Sequence, residues 1–169
     1  MNYHNITKDD MNNGDGLRVV LWLSGCEHHC KDCQNPQTWD YESGIPFDEK
    51  ALEEIEAELS KDYISGITFS GGDPLAPQNR KEVGYMIRYL KYTYPNKTIW
   101  IYIGYPYEQL LFEGNFDCID ALKNSDVLVD GRYIQELRDV SLKWRGSKNQ
   151  RVIDLQKSLK SGKAVLHCD

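Results

Sequence analysis

The sequence predicts an α/β fold with mainly parallel strands, and three observations carry that prediction. Short apolar runs rich in β-branched side chains alternate with longer segments whose apolar residues recur at helical spacing. Strand, helix, strand in that order implies βαβ units with right-handed crossovers. The chain has 169 residues, whereas a closed eight-stranded α/β barrel typically takes about 250 and seldom fewer than about 200. An open, partial barrel or a doubly wound sheet remains, in a single domain spanning residues 1–169.

The elements follow in order. "LRVVLWLS" (17–24) has the composition of a buried strand. In "FDEKALEEIEAELSK" (47–61), Leu52, Ile55 and Leu59 share one helical face and Asp48 is placed to cap its start. "SGITFS" (65–70) is a second strand, ended by Gly71-Gly72. "QNRKEVGYMIRYLKYTY" (78–94) repeats the helical spacing at Val83, Met86, Ile87 and Leu90. "KTIWIYI" (97–103) is a third strand; Tyr107–Leu111 and Phe116–Leu122 read as short helices. "DVLVDG" (126–131) is a fourth strand. "QRVIDL" and "KAVLHC" are candidate strands with a short helix between them. No internal repeat, low-complexity tract or linker interrupts the series.

Composition narrows the classes of function. A net charge of −6 argues against a general nucleic-acid binder, which carries a basic surface. No apolar run approaches the roughly 20 residues that cross a bilayer. The opening "MNYHNITKDD" is polar and acidic, with no secretory or transit pattern. The expected location is therefore cytoplasmic, where thiols stay reduced and clustered cysteines point to metal or redox chemistry.

Three of the five cysteines, Cys26, Cys30 and Cys33, form a C-x3-C-x2-C cluster directly after the first strand. Cys118 and Cys168 stand apart and read as a small buried hydrophobe and a tail thiol. A structural zinc site would need a fourth ligand, for which His28 or His29 is available. Cys30-x-x-Cys33 is also a possible redox pair, although that motif does not require Cys26. An iron–sulfur cluster is the third reading. Cubane clusters normally take four cysteines, so three thiolates would leave one iron open for a non-protein ligand. Ligands in open α/β sheets bind beyond the carboxyl ends of the strands. The cysteine loop and the Gly-Gly turn both follow strands, so they should meet on that edge.

The stretch "DGLRVVLWLSGCEHHCKDCQNPQTWD" resembles the opening of radical S-adenosylmethionine enzymes, and within them the glycyl-radical-enzyme activases. Asp15-Gly16-Leu17-Arg18 before the strand and Asn35-Pro36-Gln37-Thr38-Trp39 after the last cysteine carry the narrower likeness. "TFSGGDPL" (68–75) is similar to that superfamily's Gly-Gly-Glu motif, in an Asp form. "VDGRY" (129–133) and "WRGSKNQR" (144–151) extend the likeness to activases of anaerobic ribonucleoside-triphosphate reductase. It runs from about residue 14 to residue 154. One departure is Asp32, where many superfamily members have an aromatic residue.

The resemblance implies an open partial (β/α) barrel of radical-SAM type. It also implies a [4Fe–4S] cluster on Cys26, Cys30 and Cys33, with the open iron chelated by the methionine moiety of S-adenosyl-L-methionine. By the same likeness, the cofactor would be bound around Asp32, Cys33, Gln34, Ser70, Gly71, Gly72, Asp73 and Asp130. No catalytic residue is implied beyond cluster and cofactor. The implied reaction is reductive cleavage of the cofactor, followed by hydrogen abstraction from a glycine of the partner. The implied partners are the catalytic subunit of the reductase, through its glycine loop, and an external one-electron donor such as a flavodoxin. An activase of another glycyl-radical enzyme, of the pyruvate formate-lyase type, and a non-catalytic zinc-binding interaction module are the alternatives. For Asp130, capping of a helix or turn competes with cofactor contact. His28 and His29 read as exposed loop residues, with hydrogen bonding near the cluster as their other role. The basic segment Lys143–Arg151 reads as a solvated turn or as a docking or cofactor-supporting element, and Tyr85, Tyr89 and Tyr92 as helix surface and core edge.

Overall fold

The computed structural model describes residues 1–169. Eight strands form one sheet: β1 (Asn2–Asp10), β2 (Leu17–Leu23), β3 (Ile45–Pro46), β4 (Ile64–Gly71), β5 (Thr98–Tyr102), β6 (Val127–Asp130), β7 (Arg151–Asp154) and β8 (Leu166–Cys168). Five helices accompany them: α1 (Glu49–Leu59), α2 (Arg80–Thr93), α3 (Tyr107–Glu113), α4 (Phe116–Lys123) and α5 (Leu155–Ser161). The strand order is β3-β1-β2-β4-β5-β6-β7-β8.

The central strands β2, β4, β5 and β6 are parallel and lie side by side in chain order. Right-handed crossovers between strands added in one direction put every helix on the same face. Val19, Leu21, Ile67, Phe69, Ile101 and Leu128 accordingly join apolar residues of all five helices in one buried cluster. A doubly wound sheet, with helices on both faces, is therefore not what this chain forms. The alternate residues point to a helix-free face, where Trp100, Val127, Val129 and Val152 make a smaller cluster under Tyr102, Trp144 and Cys168.

The expectation of mainly parallel strands needs correction at both flanks. β1 pairs antiparallel with β2 and β3, β7 pairs antiparallel with β6, and β8 pairs antiparallel with β7. The sheet is mixed because no crossover helix joins β6 to β7. The chain returns instead through the loop 131–150, and β1 turns into β2 within a few residues. The strand β1, to which the sequence reading assigned no element, buries only Ile6, so its apolar pattern is nearly blank. Cys168 is a strand residue packed beside the Trp100 cluster rather than a loose tail thiol. Tyr85 and Tyr92 do lie on the surface, as expected.

Helix starts follow the local sequence. The Asp48 side chain accepts the Ala51 N–H at 2.9 Å, and Asn115 accepts that of Cys118 at 3.1 Å. Each cap satisfies one of the orphan donors of a helix start.

Arg18 closes the base of the helix-free face. It has no exposed surface, yet all five of its N–H groups find acceptors: Thr68 Oγ1, the Asp15 carbonyl, Thr98 Oγ1, the Ile67 carbonyl and the Thr98 carbonyl. Burial pulls the guanidinium pKa down to about 10, which leaves it charged at neutral pH. The guanidinium carbon lies 5.4 Å from the Trp100 ring centre. Trp144 and His167 meet that ring edge-on at 6.0 and 5.3 Å. Both are tied to the Asp15 carboxylate, at 3.1 Å from Trp144 Nε1 and 2.7 Å from His167 Nε2.

Candidate functional site

A cleft of about 410 Å³ opens at the carboxyl ends of β2, β4 and β5 and under the loop 131–150. Three chain segments build its walls.

The first wall is the cysteine loop. Gly25 takes a φ of +101°, and a Cβ there would overlap the Tyr41 ring. The loop is pinned by Gly25 N–H to the Thr38 carbonyl at 2.6 Å and Cys26 N–H to the Trp39 carbonyl at 3.0 Å. His29 and Asp32 adopt left-handed backbone at φ 45° and 58°, an uncommon conformation for which His and Asp are enriched. These reversals let Cys26, Cys30 and Cys33 all border the cleft, and none of the three is in a disulfide. Burial pushes the Cys26 thiol up to about 11 against the pull of the His28 and His29 backbone N–H groups. Burial also raises Cys30, opposed first by the Tyr133 backbone N–H. The Asn35 N–H donates to Cys33 Sγ at 3.4 Å.

The second wall is the turn after β4. Gly71 has φ +92°, and a Cβ on it would stand 2.8 Å from Leu23 backbone. The Gly72 N–H donates to the Leu23 carbonyl and the Asp73 N–H to the Gly25 carbonyl, both at 2.8 Å. These glycines therefore permit close approach to the neighbouring chain as well as to a ligand. Ser70, Gly71, Gly72 and Asp73 all border the cleft. The Asp73 carboxylate, however, turns inward and is 2% exposed as a residue. Its Oδ1 accepts from Leu75 N–H at 2.8 Å; its Oδ2 accepts from Gly104 N–H at 2.9 Å and from His28 Nε2 at 2.7 Å.

The third wall is the loop 131–150. Gln150 shapes it by accepting the Gly146 and Ser147 N–H groups at 3.0 and 3.1 Å and donating to the Gly131 carbonyl at 3.0 Å. Trp144, Arg145 and Gly146 border the cleft, so the basic segment is part of the site and not a solvated turn. Two buried polar atoms on cleft residues, Tyr102 Oη and Arg145 Nε, have no hydrogen-bond partner within the chain. Buried polar groups are normally paired, so both are candidate contacts for a ligand. Nothing local in the sequence marks Tyr102, whereas Arg145 falls in the basic segment Lys143–Arg151.

The sequence-expected residues divide on inspection. Cys26, Cys30, Cys33, Gln34, Ser70, Gly71, Gly72 and Asp73 meet at one cleft. Asp32 is exposed and lies outside the lining; its role is to bend the loop. Asp130 is also apart. Its carboxylate is consumed by the Tyr107 N–H at 2.8 Å and by Arg151, whose second partner is Glu108 at 2.7 Å. The capping alternative describes it. His29 is exposed, as expected, and stacks on Trp39 at 4.6 Å; His28 is not, its side chain being 4% exposed.

Three free thiols at one cleft suit a soft metal centre. A single zinc draws its ligands to within about 2.3 Å of one point. No three His, Cys, Asp or Glu side chains are gathered in that way, and the two candidate histidines are engaged elsewhere. A cubane binds its thiolates at separate iron corners, and the donor set fits it.

Residues 12–153 match the model of a family described as a 4Fe-4S single cluster domain. The chain is 42% identical over 152 residues to the anaerobic ribonucleoside-triphosphate reductase-activating protein of Enterobacteria phage T4, covering 90% of this chain and 93% of that one. It is 40% identical over 158 residues to the protein of that name from Escherichia coli K12, covering 92% and 100%. With the Vibrio cholerae protein of that name it shares 41% over 153 residues, covering 89% and 96%.

Proposed function

The chain belongs to the family of anaerobic ribonucleoside-triphosphate reductase-activating proteins, and from that premise we propose that it is a radical S-adenosylmethionine activase. The observation that carries the reading is the junction of the cysteine loop with the Gly-Gly-Asp turn, hydrogen-bonded to each other at the rim of one cleft.

Cys26, Cys30 and Cys33 would hold the [4Fe–4S] cluster through three irons. When bound, the cluster would supply the electron for reductive cleavage of S-adenosyl-L-methionine, the chemistry by which a hydrogen atom would pass from a glycine of the reductase to the cofactor's adenosyl fragment. The protein's own task is placement and dryness. The backbone at Gly71 and Gly72, with Ser70 and Gln34, presents polar groups to the cofactor's methionine and adenosine parts. Tyr102 Oη and Arg145 Nε offer further hydrogen bonds from other sides of the same cleft. Trp22 and Trp144 keep water from the deeper cleft.

The strand order and the one-sided helices support an open partial barrel of the radical-SAM type. Its uncovered face leaves room for a peptide of the partner reductase. A single domain over residues 1–169, a cytoplasmic site of action and an external electron donor such as a flavodoxin belong to this reading. No helix of the chain is long and apolar enough to cross a membrane.

The test is anaerobic reconstitution with iron and sulfide, then dithionite reduction and EPR with and without S-adenosylmethionine. The expected result is a reduced-cluster signal that changes when the cofactor is added, with 5′-deoxyadenosine formed. Protein that takes up no iron and leaves the cofactor intact overturns the proposal.

A further inference from the structure

We propose that His28 is a positioning residue that locks the cysteine loop to the Gly-Gly-Asp turn and to the end of β5, and so sets where the cluster stands relative to the cofactor wall. The inference rests on the activase reading and assigns a role to a cleft residue outside the thiol set.

Four observations converge on it. His28 sits between Cys26 and Cys30, within the loop that carries the thiols. Its Nε2–H donates to Asp73 Oδ2 at 2.7 Å, with the side chains 4% and 1% exposed. Asp73 Oδ2 also accepts the Gly104 N–H, so one carboxylate oxygen joins the cysteine loop, the turn after β4 and the turn after β5. Space is allotted accordingly: a Cβ on Gly104 would collide with the His28 ring, and Tyr105 meets that ring edge-on at 4.5 Å between centres. Gly104 has no left-handed backbone to explain its being glycine. The imidazole explains it.

The link lies next to one of the sulfurs. The backbone N–H groups of His28 and His29 both act on Cys26, so a shift of the imidazole shifts the polar groups around that thiol. Outer-sphere partners of this kind typically change metal affinity about 10- to 100-fold when removed. A hydrogen bond with both partners desolvated is also costly to break, because the abandoned carboxylate oxygen keeps its burial.

The experiment uses reconstituted full-length protein under anaerobic conditions, with iron extraction by a chelator as the main readout. His28→Leu is expected to lose its iron roughly tenfold faster than wild type, with an altered response of the EPR signal to S-adenosylmethionine. His28→Gln, which retains an N–H donor of similar reach, should recover most of the difference. Gly104→Ala should imitate His28→Leu in the wild-type background. In a His28→Ala background, Gly104→Ala should add almost nothing, since the ring it strikes is gone. The same pairwise cycle, run by urea unfolding on iron-free protein, reports the lock without any cluster. The inference fails if wild type loads iron and His28→Leu holds it equally well, or if the two substitutions act additively in both assays. If wild type itself takes up no iron, the activase reading fails, and the positioning role fails with it.

Discussion

Gly72 and Gly25 pack backbone to backbone: a Cβ on Gly72 would lie 2.5 Å from the Gly25 carbonyl oxygen. This contact is what holds the cofactor wall against the start of the cysteine loop. Gly72→Ala must therefore separate the two segments and strain the Asp73 N–H bond to the Gly25 carbonyl. Overpacking of this kind costs about 1–3 kcal/mol. Urea unfolding should show that loss. Reconstituted Gly72→Ala should also retain less iron than wild type, since Gly25 immediately precedes Cys26.

The five cysteines should separate cleanly into two groups. Serine at Cys26, Cys30 or Cys33 is expected to abolish stable iron–sulfur loading, measured as iron and sulfide per chain. Alanine at Cys168 should leave loading unchanged. Alanine at Cys118, 1% exposed in the helix-covered core, should lower stability by about 1 kcal/mol through lost packing and leave loading intact.

Asp130 offers a sharp test of capping against cofactor contact. Its carboxylate accepts the Tyr107 N–H and pairs with Arg151. Asp130→Asn should cost about 1–3 kcal/mol of stability, because a buried charged hydrogen bond is weakened. Iron loading and the EPR response to S-adenosylmethionine should be those of wild type. A lost response with unchanged stability would return Asp130 to the cofactor site.

A dependence on pH follows from Glu108, whose carboxyl is held below the usual glutamate range by hydrogen bonds from Arg151. Its folded pKa lies below its unfolded one, so its contribution is present above the ordinary glutamate value. That contribution disappears as pH falls through the lowered folded value. The side chain is 60% exposed, so screening limits the effect to less than about 1 kcal/mol. Glu108→Gln should be slightly less stable than wild type at pH 7, and the gap should close at low pH. Urea midpoints measured from pH 7 down to acid unfolding would show whether it does.

How far the fold could be read depended on how much of each element is buried. Strands 17–24, 65–70, 97–103 and 126–131 are central, so their apolar runs are long and lie within a residue or two of the observed limits. The edge strand β1 buries one residue and left no signal. β7 and β8 were legible as strands, but their antiparallel pairing is a property of the loop 131–150, which no local pattern encodes. The site divides in the same way. The thiol spacing and the Gly-Gly-Asp turn are local patterns, and they do meet. The inward turn of the Asp73 carboxylate and the burial of His28 arise from contacts between segments 31 and 45 residues apart, and Arg145 enters the cleft on a loop whose Trp144 is tied to Asp15; periodicity carries no trace of them.

Of the four groups stacked on the sheet's bare face, Arg18, Trp100, Trp144 and His167, only Trp144 also borders the cleft. That indole is the hinge pin between the packed floor and the open site: a swing of the loop 131–150 unstacks it from Trp100 and pulls its Nε1 from Asp15.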